Sequence, residues 1–107
     1  MKRNLELLQD MLGAITSIES YVIPSFATFL EDHKTQDAIM YNLIIMGEAA
    51  HSISVEFQEK HPEIPWASII GTRNVIVHGY DQVKLHLVWD ILQKNLEPLK
   101  KSLLKLV

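Results

Sequence analysis

"LIIMGEAA", residues 43–50, is apolar on almost every side and carries one carboxylate, Glu48, among its aliphatics. A helix that is greasy all round must be covered by neighbours on several sides. The stretch therefore predicts the buried helix of an all-α bundle. Working outward from it, apolar residues recur at helical spacing nearly throughout. Leu5, Leu8, Leu12, Ile15 and Ile18 form one stripe at spacings of three and four. Pro24 is expected to interrupt that first helix, because proline removes a donor and clashes with the preceding turn. Phe26, Phe29 and Leu30 then predict a short helix or turn.

The second helix is expected from Thr35 to Lys60, with Thr35 as its N-cap and Asp37 as the first-turn acid that suits the helix dipole. Pro65 fits the first position of a third helix. That helix carries Trp66, Ile69 and Ile70 toward Gly79, the expected terminator. A last helix runs from Lys84 to Leu104, and Pro98 is expected to end or kink it. Short connections make this an antiparallel bundle of four to five helices, one domain over residues 1–107.

Composition sets the outer limits. Of 107 residues, 48% are hydrophobic and 21% charged, which is globular rather than disordered. There is no cysteine, so disulfides and thiolate metal sites are excluded. The amino-terminal "MKRNLELLQDML" mixes charged with apolar residues, unlike a signal peptide, and no run approaches a membrane span. A soluble cytoplasmic protein is expected. The net charge of −3 argues against coating nucleic acid by bulk attraction, so any nucleic-acid function needs a local site.

The candidate for such a site is "RNVIVHGY", residues 73–80, which sets four polar side chains among branched aliphatics. On an ideal helix, residues five apart are turned by about 140° and residues seven apart by about 20°. Arg73 and Tyr80 would then share a face, and Asn74 and His78 another. Arg73 and His78 would meet only if the helix frayed, if they faced a groove from two edges, or if a second copy supplied the other half.

Such residues suit phosphoryl transfer on RNA. Cleavage without a metal needs a base, an acid and a cation for the phosphorane charge. Histidine fills either proton role near neutrality, and arginine offers a planar fork of donors to phosphate. One chain holds one such histidine; a symmetric dimer holds two. By spacing alone, however, an Arg-x4-His pair in a bundle is more often structural or solvated than catalytic.

The wider sequence resembles the HEPN superfamily, specifically the HepT-like ribonuclease toxins. The residues that carry the resemblance are "QDAIMYNLIIMGEAAHSI" (36–53), "HPEIPWASIIGTRNVIVHGY" (61–80) and "LVWDILQKNLEPL" (87–99). It implies an all-α bundle, a homodimer and metal-independent ribonuclease activity on an RNA substrate. The family's Arg-x4-His-x-Tyr motif falls on Arg73, His78 and Tyr80, with Asn74 beside the arginine. Related toxins are encoded with a nucleotidyltransferase antitoxin of the MNT type, which can transfer AMP to the motif tyrosine, here Tyr80. Many relatives carry arginine where this chain has Tyr41, so one positive charge is missing near the second helix. Lys84 stands where relatives often have an acid.

Glu48 is expected to orient Arg73 or Asn74 across a helix pair, or else to sit partly solvated at a helix edge. Gly47 permits close helix approach. His51 follows Glu48 by three residues and is placed to pair with it. His33, His51, His61 and His86 are scattered without His-x3-His spacing, so neither metal nor cofactor is expected. Trp66 and Trp89 lie on apolar stripes and read as core. Besides the ribonuclease, two other readings fit the residues: a dimer that binds nucleotide, RNA or partner without cutting, and a dimer whose polar stretch only seals its interface.

Overall fold

The computed structural model describes residues 3–107, so Met1 and Lys2 of the amino-terminal stretch lie outside the described residues. The described residues form helices and connections, with no strand among them. The order is α1 (Asn4–Glu19), α2 (Phe26–Glu31), α3 (His33–Ser52), α4 (Val55–Lys60), α5 (Trp66–His78), a 3-10 turn (Tyr80–Gln82), α6 (Leu85–Asp90), a π-helical turn (Ile91–Asn95) and α7 (Leu96–Leu104). This is the all-α bundle that the periodicity predicts.

Helix α3 is the centre, packed by α1 on one side and α5 on the other, while α7 closes on α1. Its Ile39, Leu43, Met46 and Ala50 are all buried, as the opening stretch requires. Opposite them, Leu8, Met11 and Ile15 of α1 are almost wholly covered. Each such side chain contributes about 1.5–3 kcal/mol relative to leaving it in water. Asn4 bonds Ser54 at one end of the α1–α3 pair and Asn42 reaches Tyr21 toward the other, so the two helices run antiparallel. Lys100 of α7 grips Glu19 of α1 at 2.9 Å. Trp66 is buried and Trp89 packs against Phe26 and Phe29, so both tryptophans serve the core.

Several boundaries differ from expectation. Helix α1 ends at Glu19, a turn before Pro24, with Ser20 at its C-cap donating its hydroxyl to the Ser17 carbonyl. The second helix starts earlier than Thr35. Asp32 is the N-cap, and its carboxylate takes both the backbone N–H and the hydroxyl of Thr35. Those bonds hold the Asp32 carboxyl below its ordinary value. The helix also does not run unbroken to Lys60. It stops at Ser52, Ile53 turns inward in extended conformation, and the Ser54 hydroxyl caps α4 by accepting from Phe57 N–H. A reciprocal pair of hydrogen bonds fixes that break: Asn4 Nδ2 donates to the Ser54 hydroxyl, and the Ser54 N–H donates to Asn4 Oδ1.

Pro65 lies at the N-cap of α5 rather than inside it. Trp66 locks the approach by donating its indole N–H to the His61 carbonyl at 2.9 Å. The last helix passes through Pro98 to Leu104. Pro98 has no N–H for the carbonyl one turn back, and its ring crowds that carbonyl. The helix widens into the π turn just upstream instead of ending.

Candidate functional site

The site forms where α3 meets α5, and Gly47 makes the meeting possible. A Cβ built there would overlap the Arg73 Cβ outright, lie 2.8 Å from its Cγ and 3.2 Å from the Ile69 carbonyl oxygen. Only a residue without a side chain allows α5 this close. Gly47 touches residues 69–73 while Asp37 touches Tyr80, so α5 runs antiparallel to α3.

One step along α3, the Glu48 carboxylate faces the same arginine. Its Oε1 accepts from Arg73 Nε at 3.2 Å and from Nη2 at 2.7 Å. Arg73 Nη1 donates to the Asn74 side-chain oxygen at 2.8 Å. Three of the five guanidinium N–H groups are thus engaged, and the planar fork is fixed in direction. The other two remain for a ligand. Glu48 is 56% exposed, so it is also the partly solvated edge carboxylate that the sequence allowed. His51 is exposed and no contact joins it to Glu48 among the described residues; the nearer guanidinium takes that carboxylate.

Helix α5 stays regular through His78 and does not fray. Arg73 and His78 therefore point about 140° apart and do not meet within one chain. Asn74 and His78, four apart, share an outward face, and both are exposed. Beside them Val75 is 63% and Val77 45% exposed, and Gly71 has open space where a side chain would stand. An edge helix with two bare valines and an imidazole is an unfinished surface.

Tyr80 departs from expectation. The helix ends at His78, and Gly79 turns the chain into the 3-10 turn, so Tyr80 does not share a helix face with Arg73. Gly79 does this without the left-handed conformation expected of a glycine terminator, at φ −149°. The Tyr80 hydroxyl donates to the Asp37 carboxylate of α3. Burial first, and then that carboxylate, push the phenol up to about 12. Asp37 is therefore no first-turn acid. The signal was in the sequence: Asp37 and Glu48 are eleven residues apart, three helical turns with about 20° of rotation, hence one stripe of α3. Tyr41 lies on that stripe and is 64% exposed.

The site is open rather than enclosed. A cleft of about 370 Å³ between α5 and α7 includes Ile69 and Thr72 but not Arg73, His78 or Tyr80. No group of three or more histidines and carboxylates that would suit a metal occurs among the described residues.

The all-α bundle fixes an arginine fork and bares an imidazole on one edge helix, two groups whose chemistry suits a phosphate. The comparisons narrow that chemistry. Residues 11–106 match the family described as "Ribonuclease HepT-like", and the chain belongs to that family. It is 36% identical to "Probable ribonuclease HepT" of Thermococcus cleftensis, over 99% of this chain and 98% of that protein. It is 32% identical to "Putative RNase MJ1380" of Methanocaldococcus jannaschii, over 94% of each. A third relative, "Gamma-glutamylcyclotransferase and putative RNase MJ0434" of the same organism, is 30% identical, and the chain spans 49% of its length. No solved structure matches the chain.

Proposed function

We propose that this chain is a metal-independent endoribonuclease toxin of the HepT/MNT type, acting in the cytoplasm as a homodimer with its active site at the two-fold interface. The observation that carries this reading is the split of α5. Arg73 is aimed by Glu48 and Asn74, while His78 stands free on another face of the same regular helix. A second α5 packed on the exposed Asn74–His78 face brings two imidazoles and two guanidinium groups to one RNA phosphate.

In that site one His78 takes the proton of the ribose 2′-hydroxyl. The oxygen attacks the adjacent phosphorus, Arg73 holds the phosphorane charge, and the partner's His78 protonates the leaving 5′-oxygen. Asn74 supports the guanidinium. No cofactor enters. The antitoxin partner, a nucleotidyltransferase, joins the α-phosphorus of ATP to the Tyr80 oxygen with release of pyrophosphate and the phenolic proton, adding bulk and negative charge two residues from His78.

The family membership and the ribonuclease names of the relatives support the reading. Its products test it: cleavage of end-labelled RNA in EDTA leaves a 2′,3′-cyclic phosphate and a 5′-hydroxyl. Products with a free 3′-hydroxyl and a 5′-phosphate contradict it. A dimer that binds RNA or nucleotide without cutting is the second reading. It is favoured by the neutralisation of Arg73 by Glu48 in a chain of net charge −3. A tight complex with RNA and no turnover at any enzyme concentration would establish it.

A further inference from the structure

The turn after His78 is short, exposed and lightly held. Within it, Gln82 N–H bonds the Gly79 carbonyl and Val83 N–H bonds the Tyr80 carbonyl. Among the described residues one side-chain hydrogen bond leaves this turn, from Tyr80 Oη to Asp37 on α3, across 43 positions of sequence. Val83 packs against the core at the far end. The near end, beside His78, is bonded back to α5 by Gly79 N–H on the Val75 carbonyl, and the Tyr80–Asp37 bond is its tie across to α3. Asp37 and Glu48 occupy one stripe of α3, so two carboxylates of one helix hold the motif at both ends: Glu48 at Arg73, Asp37 at Tyr80.

We infer that Asp37 is a positioning residue of the site, acting through Tyr80 to fix the turn that follows His78. The bond needs the phenolic proton. A phosphate ester on Oη removes that donor and sets a negative charge against the Asp37 carboxylate, so modification unlatches the turn as well as obstructing the site. This rests on the reading of His78 as the proton-transfer group. It goes beyond that reading by giving Tyr80 a role before any modification occurs.

The test compares wild type, Asp37→Ala, Tyr80→Phe, the double variant and Asp37→Asn as intact proteins. RNA cleavage and amide hydrogen exchange at Gln82 and Val83 are both measured. Each of the first two changes lowers kcat about five- to tenfold with KM little altered, as a misplaced catalytic group does. The double variant is no worse than either single one, because both remove the same bond. Asp37→Asn, which still offers an acceptor oxygen, retains most of the activity. Exchange at Gln82 and Val83 speeds equally in Asp37→Ala and Tyr80→Phe. A fully active Tyr80→Phe, or losses that multiply in the double variant, overturns the inference. If the wild type does not cut RNA, the ribonuclease reading fails and exchange alone decides. Faster exchange in both variants then upholds the latch, and unchanged exchange sinks it.

Discussion

The Glu48 carboxylate holds the Arg73 guanidinium from the neighbouring helix by two hydrogen bonds, 3.2 and 2.7 Å long. The pair is half in water: Glu48 is 56% and Arg73 26% exposed. A pair this exposed contributes little to stability, about 1 kcal/mol or less. Its value lies in direction, since it leaves the rest of the fork aimed away from α3.

Arg73→Ala therefore costs activity far more than stability. Cleavage falls by about a hundredfold or more, in the range for loss of one preorganised charge-stabilising donor. Glu48→Ala costs about tenfold by loosening the fork. Melting curves beside initial rates separate these effects. A sharp fall in Tm with Arg73→Ala supports instead a polar stretch that only seals an interface.

Gly47→Ala tests the close approach of α3 and α5. Alanine gains about 1 kcal/mol of helix propensity over glycine. The added methyl overlaps Arg73 and crowds the Ile69 backbone, which cannot yield unless α5 moves. Overpacking of this kind costs about 1–3 kcal/mol. The net change is destabilising, and chemical denaturation measures it. Stabilisation by Gly47→Ala shows that the helices are not in contact there.

Tyr80 sets an alkaline limit. Its phenol is pushed up to about 12 in the fold, chiefly by burial and then by Asp37. An unfolded tyrosine ionises near 10. Between those values the folded state holds the proton more tightly, so stability falls as pH rises from about 10 to about 12. At 45% exposure the effect is screened and small. Stability measured against pH shows a steeper alkaline loss in wild type than in Tyr80→Phe. Parallel curves count against the Asp37 contact.

The outward face of α5 governs assembly in this account. Val75→Glu places a charge on the exposed face beside His78, leaves the core untouched and yields monomers by sedimentation. RNA cleavage falls with dimer content. An active monomer contradicts a two-fold site.

How much of this was legible beforehand follows from which contacts are local. The all-round apolar segment 43–50 predicts a central helix, and Gly47 and Glu48 predict a close and polar crossing; α5 supplies both partners. The break at Ile53 was hidden because residues 35–60 keep a helical pattern across it. The contact that spans it, between Asn4 and Ser54, joins residues fifty positions apart. Tyr80 lies elsewhere than ideal-helix spacing places it, because that spacing does not hold beyond Gly79, the expected terminator: the chain turns there and Asp37 captures the hydroxyl. A capping acid and a tertiary acceptor look alike until the helix start is known. Asp32, not Thr35, marks that start, and it moves Asp37 out of the first turn.

The most direct test is cleavage of labelled RNA in EDTA by wild type and His78→Ala, both checked for helical folding by circular dichroism. Wild type is expected to cut, and a folded His78→Ala is expected not to. Full activity in that variant would remove His78, and with it the proposed mechanism.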